Sequence, residues 1–528
     1  EGLPVGGVRL TQEAVLWSEV GFEVISTYTF RLTLSSAKTQ WDVMGNLAGG
    51  STGVVHEAAF EAGMNAGRTS TNYGTIDNPL VSYGPFNMTA WESDVLYFYT
   101  LNTNHYSAGD FRITKLRYDV IEDQSITVDE FKAGRLDIVG VGGEYYDEFK
   151  YSLNLKLSPL TTFFRFAFNV AGSEAYALNP ILTQTEFRQA FYFAIDRDTF
   201  ATEVRDPSVP TFGFLGPVYY STEYNLFSYR SSVAGNDALS VWAPNTYGYD
   251  PVQAKTLFDN AYAAAVLAGD IQDGEMVAVE YKFYDVETNW QIAEWVKDTV
   301  EAIFNAGEAT DKFELTLTGV SSAALNDAWD NGDFEMTFGG WQGLNFDAPS
   351  MLGQVYNSSK AYMLEVGFDT ENAVVTASLP NTKVALTGWV AAFETEFAAF
   401  LPLYDAYMLI AEPTALETST YEAAIALVDV PTDNALAEYQ DWKAVLALFV
   451  MDDLTCTYDE LFTYAYGEFY NVNDVNYMGK DNDFDEITAT LEAELLNQMI
   501  AIPLFTSVGT TVYSNRVVFE ADTYHARM

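Results

Sequence analysis

Between Val277 and Phe338 the spacing of apolar positions changes repeatedly. Val277, Val279, Tyr281 and Phe283 alternate with polar neighbours, which predicts a strand. Ile292, Trp295, Val296, Thr299, Val300, Ile303 and Phe304 then recur at helical spacing, with Gly307 just past the last of them. Phe313–Thr318 predicts a second strand, Ser322–Trp329 a helix and Phe334–Phe338 a third strand. Strand–helix–strand order of this kind favours a parallel sheet with crossover helices. Thr183 to Phe200 predicts another helix. Thr183 and Glu186 have capping-box spacing, Leu182 and Phe187 have staple spacing, and Phe187, Ala190, Phe191, Ala194 and Ile195 share one face.

The rest of the chain reads less sharply. Phe22–Leu34 alternates like one strand, and a short helix is expected near Val55–Ala62. Phe111–Ile121, Leu136–Val141 and Phe163–Val170 read as strands, with a helix over Thr127–Ala133. Asp250-Pro251 is a helix start with proline in the first turn. Lys132–Asp137 and Asp330–Glu335 both end a helix on glycine and re-enter a strand, which hints at two similar α/β lobes. Residues 380–470 are mostly helical in pattern. Thr387–Phe400 runs into Leu401-Pro402-Leu403-Tyr404, and Leu491–Ile500 runs into the similar Ile502-Pro503-Leu504-Phe505, so an insertion or local duplication is expected there. Val512–Val518 reads as a late strand.

Composition narrows the function classes. The 528 residues are 48% apolar and 15% aromatic, so the chain is globular with ample core. Asp and Glu number 74 against 26 Lys and Arg, a formal charge of −48. Such a surplus repels phosphate backbones and anionic lipid, so neither nucleic acid nor membrane surface is an expected partner. It reads as a solvated acidic surface, as in salt-adapted or secreted proteins, or as an attraction for cationic ligands. The single cysteine, Cys456, excludes an intrachain disulfide, and its neighbours Asp452, Asp453 and Asp459 disfavour a thiolate. No run of about 18 apolar residues is present.

Enzymatic readings find little support. His56, His105 and His525 stand outside any triad-like motif, and there is no HExxH, CxxC or phosphate-cradling glycine motif. No cofactor and no metal are therefore expected. One calcium-like run exists at Asp481, Asp483, Asp485 and Glu492, but Glu486 occupies the position that needs glycine, and a helix start explains the acids as well.

Several strings resemble one family. Glu186-Phe187-Arg188-Gln189-Ala190 with Ala194-Ile195-Asp196-Arg197 resembles the "vRqAl.yAiDR" signature of peptide-type (family 5) solute-binding proteins, the oligopeptide, dipeptide and nickel receptors of ABC importers. Ser82–Glu92 is similar to the family's "GtGPY.l..w" turn and strand, with Tyr83 where a small residue is usual. Lys132–Asp137 is similar to "alkaGeiDi", Phe163–Val170 to "yl.fNt" with Asn169 at the family asparagine, Tyr249–Lys255 to "yDpekAk.ll", and residues 491–505 to "aE.iL....iPLy".

The resemblance implies an α/β fold, a two-lobed periplasmic-binding-protein-like (type II) clamshell with an additional domain and a truncated N-terminus. The expected division is residues 1–80 as a remnant of the extra N-terminal domain, 81–165 as lobe I with 495–528 returning to it, and 166–494 as lobe II with an insertion around 380–480. The implied role is capture of oligopeptides outside the cytoplasm, in the periplasm or on the outer face of the cell membrane with a lipid anchor ahead of Glu1. Delivery to ABC permease subunits follows, as a monomer and without catalysis. A sugar oligomer as ligand, or a non-transport surface protein, are the alternatives.

The strongest candidate site follows the strand at Phe334–Phe338. Gly339 to Pro349 resembles the family's "gGW..D...P" loop, in which an acid grips the free amino terminus of the ligand. Here that acid falls on Leu344 or Asn345, so either Asp347 replaces it or the ligand lacks a free amine. The expected ligand-binding residues are Gly340, Trp341, Gln342, Asn345, Asp347 and Asn169, with Trp341 offering a flat face. Trp341→Ala is expected to weaken binding with little loss of fold.

Overall fold

The computed structural model describes residues 20–34, 53–93, 95–121, 123–142, 144–173, 176–219, 228–341, 348–356, 361–466 and 481–517, with isolated positions before residue 53. Contacts divide the chain into two compact units, Met44–Ser158 with Gly509–Met528, and Glu1–Val43 with Pro159–Val508.

The single strand expected over Phe22–Leu34 is a hairpin, β1 (Phe22–Ser26) and β2 (Thr29–Leu32). Its register slips at a bulge between Val24 and Ser26, which pairs Val24 with Phe30 and Phe22 with Leu32. The bulge returns even-numbered residues of both arms to one face, so the alternation runs straight through the reversal.

In the smaller unit, helix α1 (Glu57–Ala62) starts at His56, whose Nδ1 accepts from Ala59 N at 3.2 Å. Strands β3 (Phe86–Glu92), β4 (Leu96–Leu101) and β5 (Lys115–Asp119) form an antiparallel sheet. Helix α2 (Gln124–Lys132) is capped by Asp123, and Gly134 turns the chain at φ 74° into β6 (Ile138–Gly140). Val128, Val139, Val141 and Val512 make this unit's small core.

The larger unit is built on a mixed sheet. Its long strand β7 (Leu155–Phe168) enters from the smaller unit. A 3-10 turn, Pro180–Thr183, follows and leads into α3 (Thr185–Ala194). The capping box expected at Thr183 does not form. Asn179 caps the 3-10 turn, Thr183 donates its hydroxyl to Pro180 O at 2.8 Å, and Gln184 takes the N-cap of α3 without a side-chain bond. Pro180 is the reason: its fixed φ starts a turn earlier than the apolar pattern suggests.

Further along come β8 (Ser208–Pro210), α4 (Val233–Asp237) and α5 (Pro251–Ala268), the last capped by Asp250 as its sequence predicts. Then β9 (Val277–Tyr284), α6 (Glu287–Phe304), β10 (Phe313–Val320), α7 (Ser322–Asn331) and β11 (Met336–Trp341) realise the predicted alternation. β9 pairs parallel with both β10 and β11, while β11 runs antiparallel to β7. Gly332 ends α7 at φ 70°, the counterpart of Gly134.

Phe187, Phe191, Phe258, Phe304 and Phe313 meet over one sheet face, with Phe258 stacked on Phe304 at 4.4 Å. Each such fully buried side chain contributes about 1.5–3 kcal/mol of hydrophobic free energy.

After β11 come α8 (Ala348–Val355), α9 (Ala361–Val366), β12 (Val374–Ser378), α10 (Pro380–Glu396), α11 (Leu401–Met408), α12 (Ala415–Ile425) and α13 (Asp433–Leu448). Leu401-Pro402-Leu403-Tyr404 is therefore the start of a helix, not a copy of the later strand. Proline is tolerated in that first turn because its missing N–H would be unpaired there anyway. Val390, Phe393, Phe400, Leu401 and Tyr439 form a separate small core for these helices. A β-ribbon (Phe449–Val450 with Asp453–Thr457), β13–β14, extends β12, and α14 (Tyr458–Tyr466) follows.

Helix α15 (Asp481–Gln498) leads into β15 (Ala501–Tyr513), one continuous strand. The late strand expected at Val512–Val518 is only its end. β15 lies between β8 and β7 in the sheet, and its last residues, which belong to the smaller unit, pair with β6 there. The calcium-like run lies on α15 rather than in a loop. Among the described residues no group of His, Cys, Asp or Glu could hold a metal ion, and no single helix is long and apolar enough to cross a membrane.

Candidate functional site

The signature helix is built around two buried arginines. Arg188, 3% exposed, donates from Nε and Nη2 to Gln498 O (3.0 and 2.8 Å) and from Nη1 to Leu182 O (2.6 Å). Its neighbour Gln189 donates to Asn497 O at 3.0 Å. Arg197, fully buried, donates to Pro503 O (2.6 Å) and to the carbonyls of Tyr192, Ile195 and Tyr247. Both arginines therefore serve as donors to backbone carbonyls at the α15–β15 corner and in their own turn. Burial pulls each guanidinium down to about 10, which leaves it charged near neutrality. Asp196 caps the following turn through Thr199 N and Oγ1. The signature string thus encodes a clasp between distant segments.

The end of β11 is a second clasp. Gly339 pairs with Arg165 of β7, and a Cβ on Gly339 would stand 3.3 Å from Arg165 Nη1. Glycine lets the guanidinium lie against the strand. Arg165 is ion-paired through Nη2 with Glu365 of α9, both 9% exposed or less. The guanidinium lies 4.7 Å from the Trp341 ring, and Tyr362 stacks on that ring at 4.8 Å and 17°. Trp341 Nε1 donates to Glu365 Oε2 at 3.3 Å. Burial pushes the Glu365 carboxyl up and Arg165 pulls it back; the same burial pulls Arg165 down.

Trp341 therefore differs from expectation. It is 0% exposed and its faces are covered by Tyr362 and Arg165, so its removal perturbs the core before it perturbs any ligand. The Ala variant is the wrong probe. Trp341→Phe keeps an aromatic ring and removes one buried hydrogen bond, with an expected cost of about 1–2 kcal/mol, read as a lower midpoint in urea unfolding.

Asn169 is also committed internally. Its Oδ1 accepts from Ala171 N (3.1 Å) and Gly172 N (2.9 Å), and its Nδ2 donates to Gly332 O (2.8 Å), tying the end of β7 to the end of α7. Gly340 is exposed on β11, opposite Phe164. Gln342, Asn345 and Asp347, with Leu344, lie outside the described residues. Sequence reading misses Arg165 and Glu365; a lone arginine inside the apolar run FFRFAFNV is the available signal, since arginine is almost never fully buried unless paired.

The remaining reactive types are accounted for locally. Cys456 lies on β14, and burial, with Glu460 second, pushes its thiol up to about 12. The unreactive thiol expected from acidic neighbours is thus mainly a matter of desolvation. His105 Nδ1 faces Ser107 Oγ at 3.1 Å and also accepts from Ser107 N, closing a turn. His525 lies outside the described residues.

The mixed α/β sheet with its crossover helices matches the two-lobed type II periplasmic-binding-protein fold. The family described as bacterial extracellular solute-binding proteins, family 5 (middle), matches residues 11–363, and the chain belongs to it. Solved structures agree in fold. The pheromone receptor PrgZ shares 14% identity at a TM-score of 0.55, over 95% of this chain and 72% of its own. The substrate-binding domain of an oligopeptide ABC transporter from Bacillus anthracis shares 15% at 0.54, over 94% and 71%. Haemophilus influenzae OppA, solved with the peptide RPPGFSPFR, shares 12% at 0.54, over 94% and 71%. No curated protein sequence matches the chain.

Proposed function

We propose that this chain is an extracytoplasmic receptor that captures oligopeptides and delivers them to the permease of an ABC importer. The family match over residues 11–363 carries the reading. Peptide is the ligand class because PrgZ is described by its mode of peptide binding and two OppA structures by a bound peptide. In this reading the two units are the lobes. Gly340, Gln342, Asn345 and Asp347 meet the ligand, while Trp341 and Asn169 hold the strand ends that present them. Main-chain hydrogen bonds to an extended peptide supply affinity, and wet pockets tolerate varied side chains. The protein works as a monomer, performs no chemistry, and is attached to the membrane by a lipid anchor or held in the periplasm.

A second reading keeps the fold and changes the ligand. Leu344 or Asn345 stands where the family has its amine-gripping acid, which favours a solute without a free amino terminus, such as a sugar oligomer.

Native mass spectrometry of the purified protein, followed by denaturation and sequencing of what is released, separates these readings. A heterogeneous set of short peptides is the expected result. A single non-peptide species would replace the ligand. Nothing bound, with no thermal shift from pooled peptides or oligosaccharides, would remove the receptor reading in favour of a non-transport surface protein.

A further inference from the structure

Arg205 follows a π turn, Phe200–Val204, which closes with Arg205 N donating to Phe200 O at 3.0 Å. Turns of this kind are rare and recur at functional sites. The side chain is half-buried, and its guanidinium lies 5.6 Å from the centre of the Phe505 ring. Among the described residues that guanidinium has no hydrogen-bond or ion-pair partner. Burial alone pulls it below the ordinary arginine value, with no carboxylate to pull it back. Arg188 and Arg197 also lack carboxylates, but they commit their donors to backbone carbonyls, which Arg205 does not. Acids outnumber bases 74 to 26 in this chain, so a half-buried arginine left without one is a departure.

Its place in the sheet points the same way. Phe505 stacks on Phe164 at 4.8 Å and 11°, and Phe164 on Phe338 at 5.4 Å and 23°, so three rings run across β15, β7 and β11. Gly340 pairs with Phe164 and adds no side chain to the row; Gly340 is exposed and Phe164 half-buried. The row thus lies at the carboxyl end of β11, the end at which open α/β sheets bind ligands. Arg205 closes the row on the side of β8, which pairs with β15 at Phe505.

We infer that Arg205 holds a carboxylate of the captured solute, either the terminal carboxylate of a peptide or that of an acidic side chain. This rests on the receptor reading and narrows it. A guanidinium presents paired donors that match a carboxylate, and contact with the Phe505 ring restrains it without using a donor. A chain of charge −48 repels anions at large, so a carboxylate ligand needs a dedicated cation at the site. With Leu344 or Asn345 at the position of the amine-gripping acid, the solute is held by its acid and not by its amine.

The test uses the intact chain and pools of tetrapeptides without Asp or Glu, prepared with free ends, with acetylated amino termini or with amidated carboxyl termini. A fourth pool is amidated and contains Asp and Glu. Thermal shift against concentration gives the apparent affinity of each. The free and acetylated pools should bind alike, and the amidated neutral pool about tenfold or more weaker. Recovery of affinity in the amidated acidic pool would make a side-chain carboxylate a sufficient source; no recovery would confine the role to the terminus. Arg205→Gln strands no buried partner, so its urea midpoint should be unchanged. It should weaken the free pool about tenfold and bind free and amidated pools equally, and Arg205→Lys should restore part of the difference. A merely structural role would shift the midpoint and leave the preference for a carboxylate in place. Arg205→Gln binding as wild type does, or wild type indifferent to amidation and to acidic residues, would overturn the inference alone. Binding of no pool at all would remove the receptor reading and the inference with it.

Discussion

Arg197→Ala should destabilise the protein by about 4 kcal/mol or more, the largest effect of any single truncation considered. Arg197 is fully buried and satisfies the carbonyls of Tyr192, Ile195, Tyr247 and Pro503. Truncation leaves four acceptors without their donor and opens a cavity beside Tyr192, whose ring lies 4.2 Å from the guanidinium. No carboxylate pairs with this guanidinium among the described residues, so its charge is stabilised by carbonyl dipoles and the aromatic face. Arg197→Lys should recover little, because one ammonium group cannot reach carbonyls presented to a planar fork. Urea unfolding gives the answer as a shift in midpoint at constant slope. An unchanged midpoint in Arg197→Ala would remove the clasp from the account of the signature helix.

The second large effect concerns Glu365. Glu365→Ala should cost about 3–5 kcal/mol, because it strands the Arg165 guanidinium in the core and takes the acceptor from Trp341 Nε1. The loss is not a measure of what the ion pair contributes. Burying both charges carries its own desolvation penalty, visible in the opposite pull of burial on the two groups. The double variant Arg165→Met with Glu365→Leu should therefore be more stable than Glu365→Ala alone. If the double variant is the less stable, packing around Trp341 rather than stranded charge governs the site. Peptide affinity measured on folded double variant then reports whether the clasp matters for binding as well as for stability.

Much of the fold is legible in the amino-acid pattern. The β9–α6–β10–α7–β11 run reads correctly because each element has one buried face and a period matched to it. Where the pattern misleads, a local device hides the geometry. The bulge at Val24–Ser26 keeps alternation intact through a reversal, and Pro180 moves the helix N-cap from Thr183 to Gln184. Leu401–Tyr404 and Ile502–Phe505 have similar letters and opposite conformations, since α11 packs in a helical core while β15 is paired on both sides.

The candidate site divides in the same way. The letters around Trp341 mark a strand end, yet they do not show which way the indole faces. Arg165, far earlier in the chain, and Glu365 meet there only because β7 lies against β11 and α9 folds back over both. Local pattern and family strings are enough for the family, the parallel core of the sheet and the helices that cross it. They rest on interactions between residues close in sequence, or on a buried face that every residue of an element reports. That Arg188, Arg197, Trp341 and Asn169 are buried and hydrogen-bonded within the scaffold was decided by tertiary packing. Their partners lie up to hundreds of residues away, and burial with full hydrogen bonding is a property of that assembled environment.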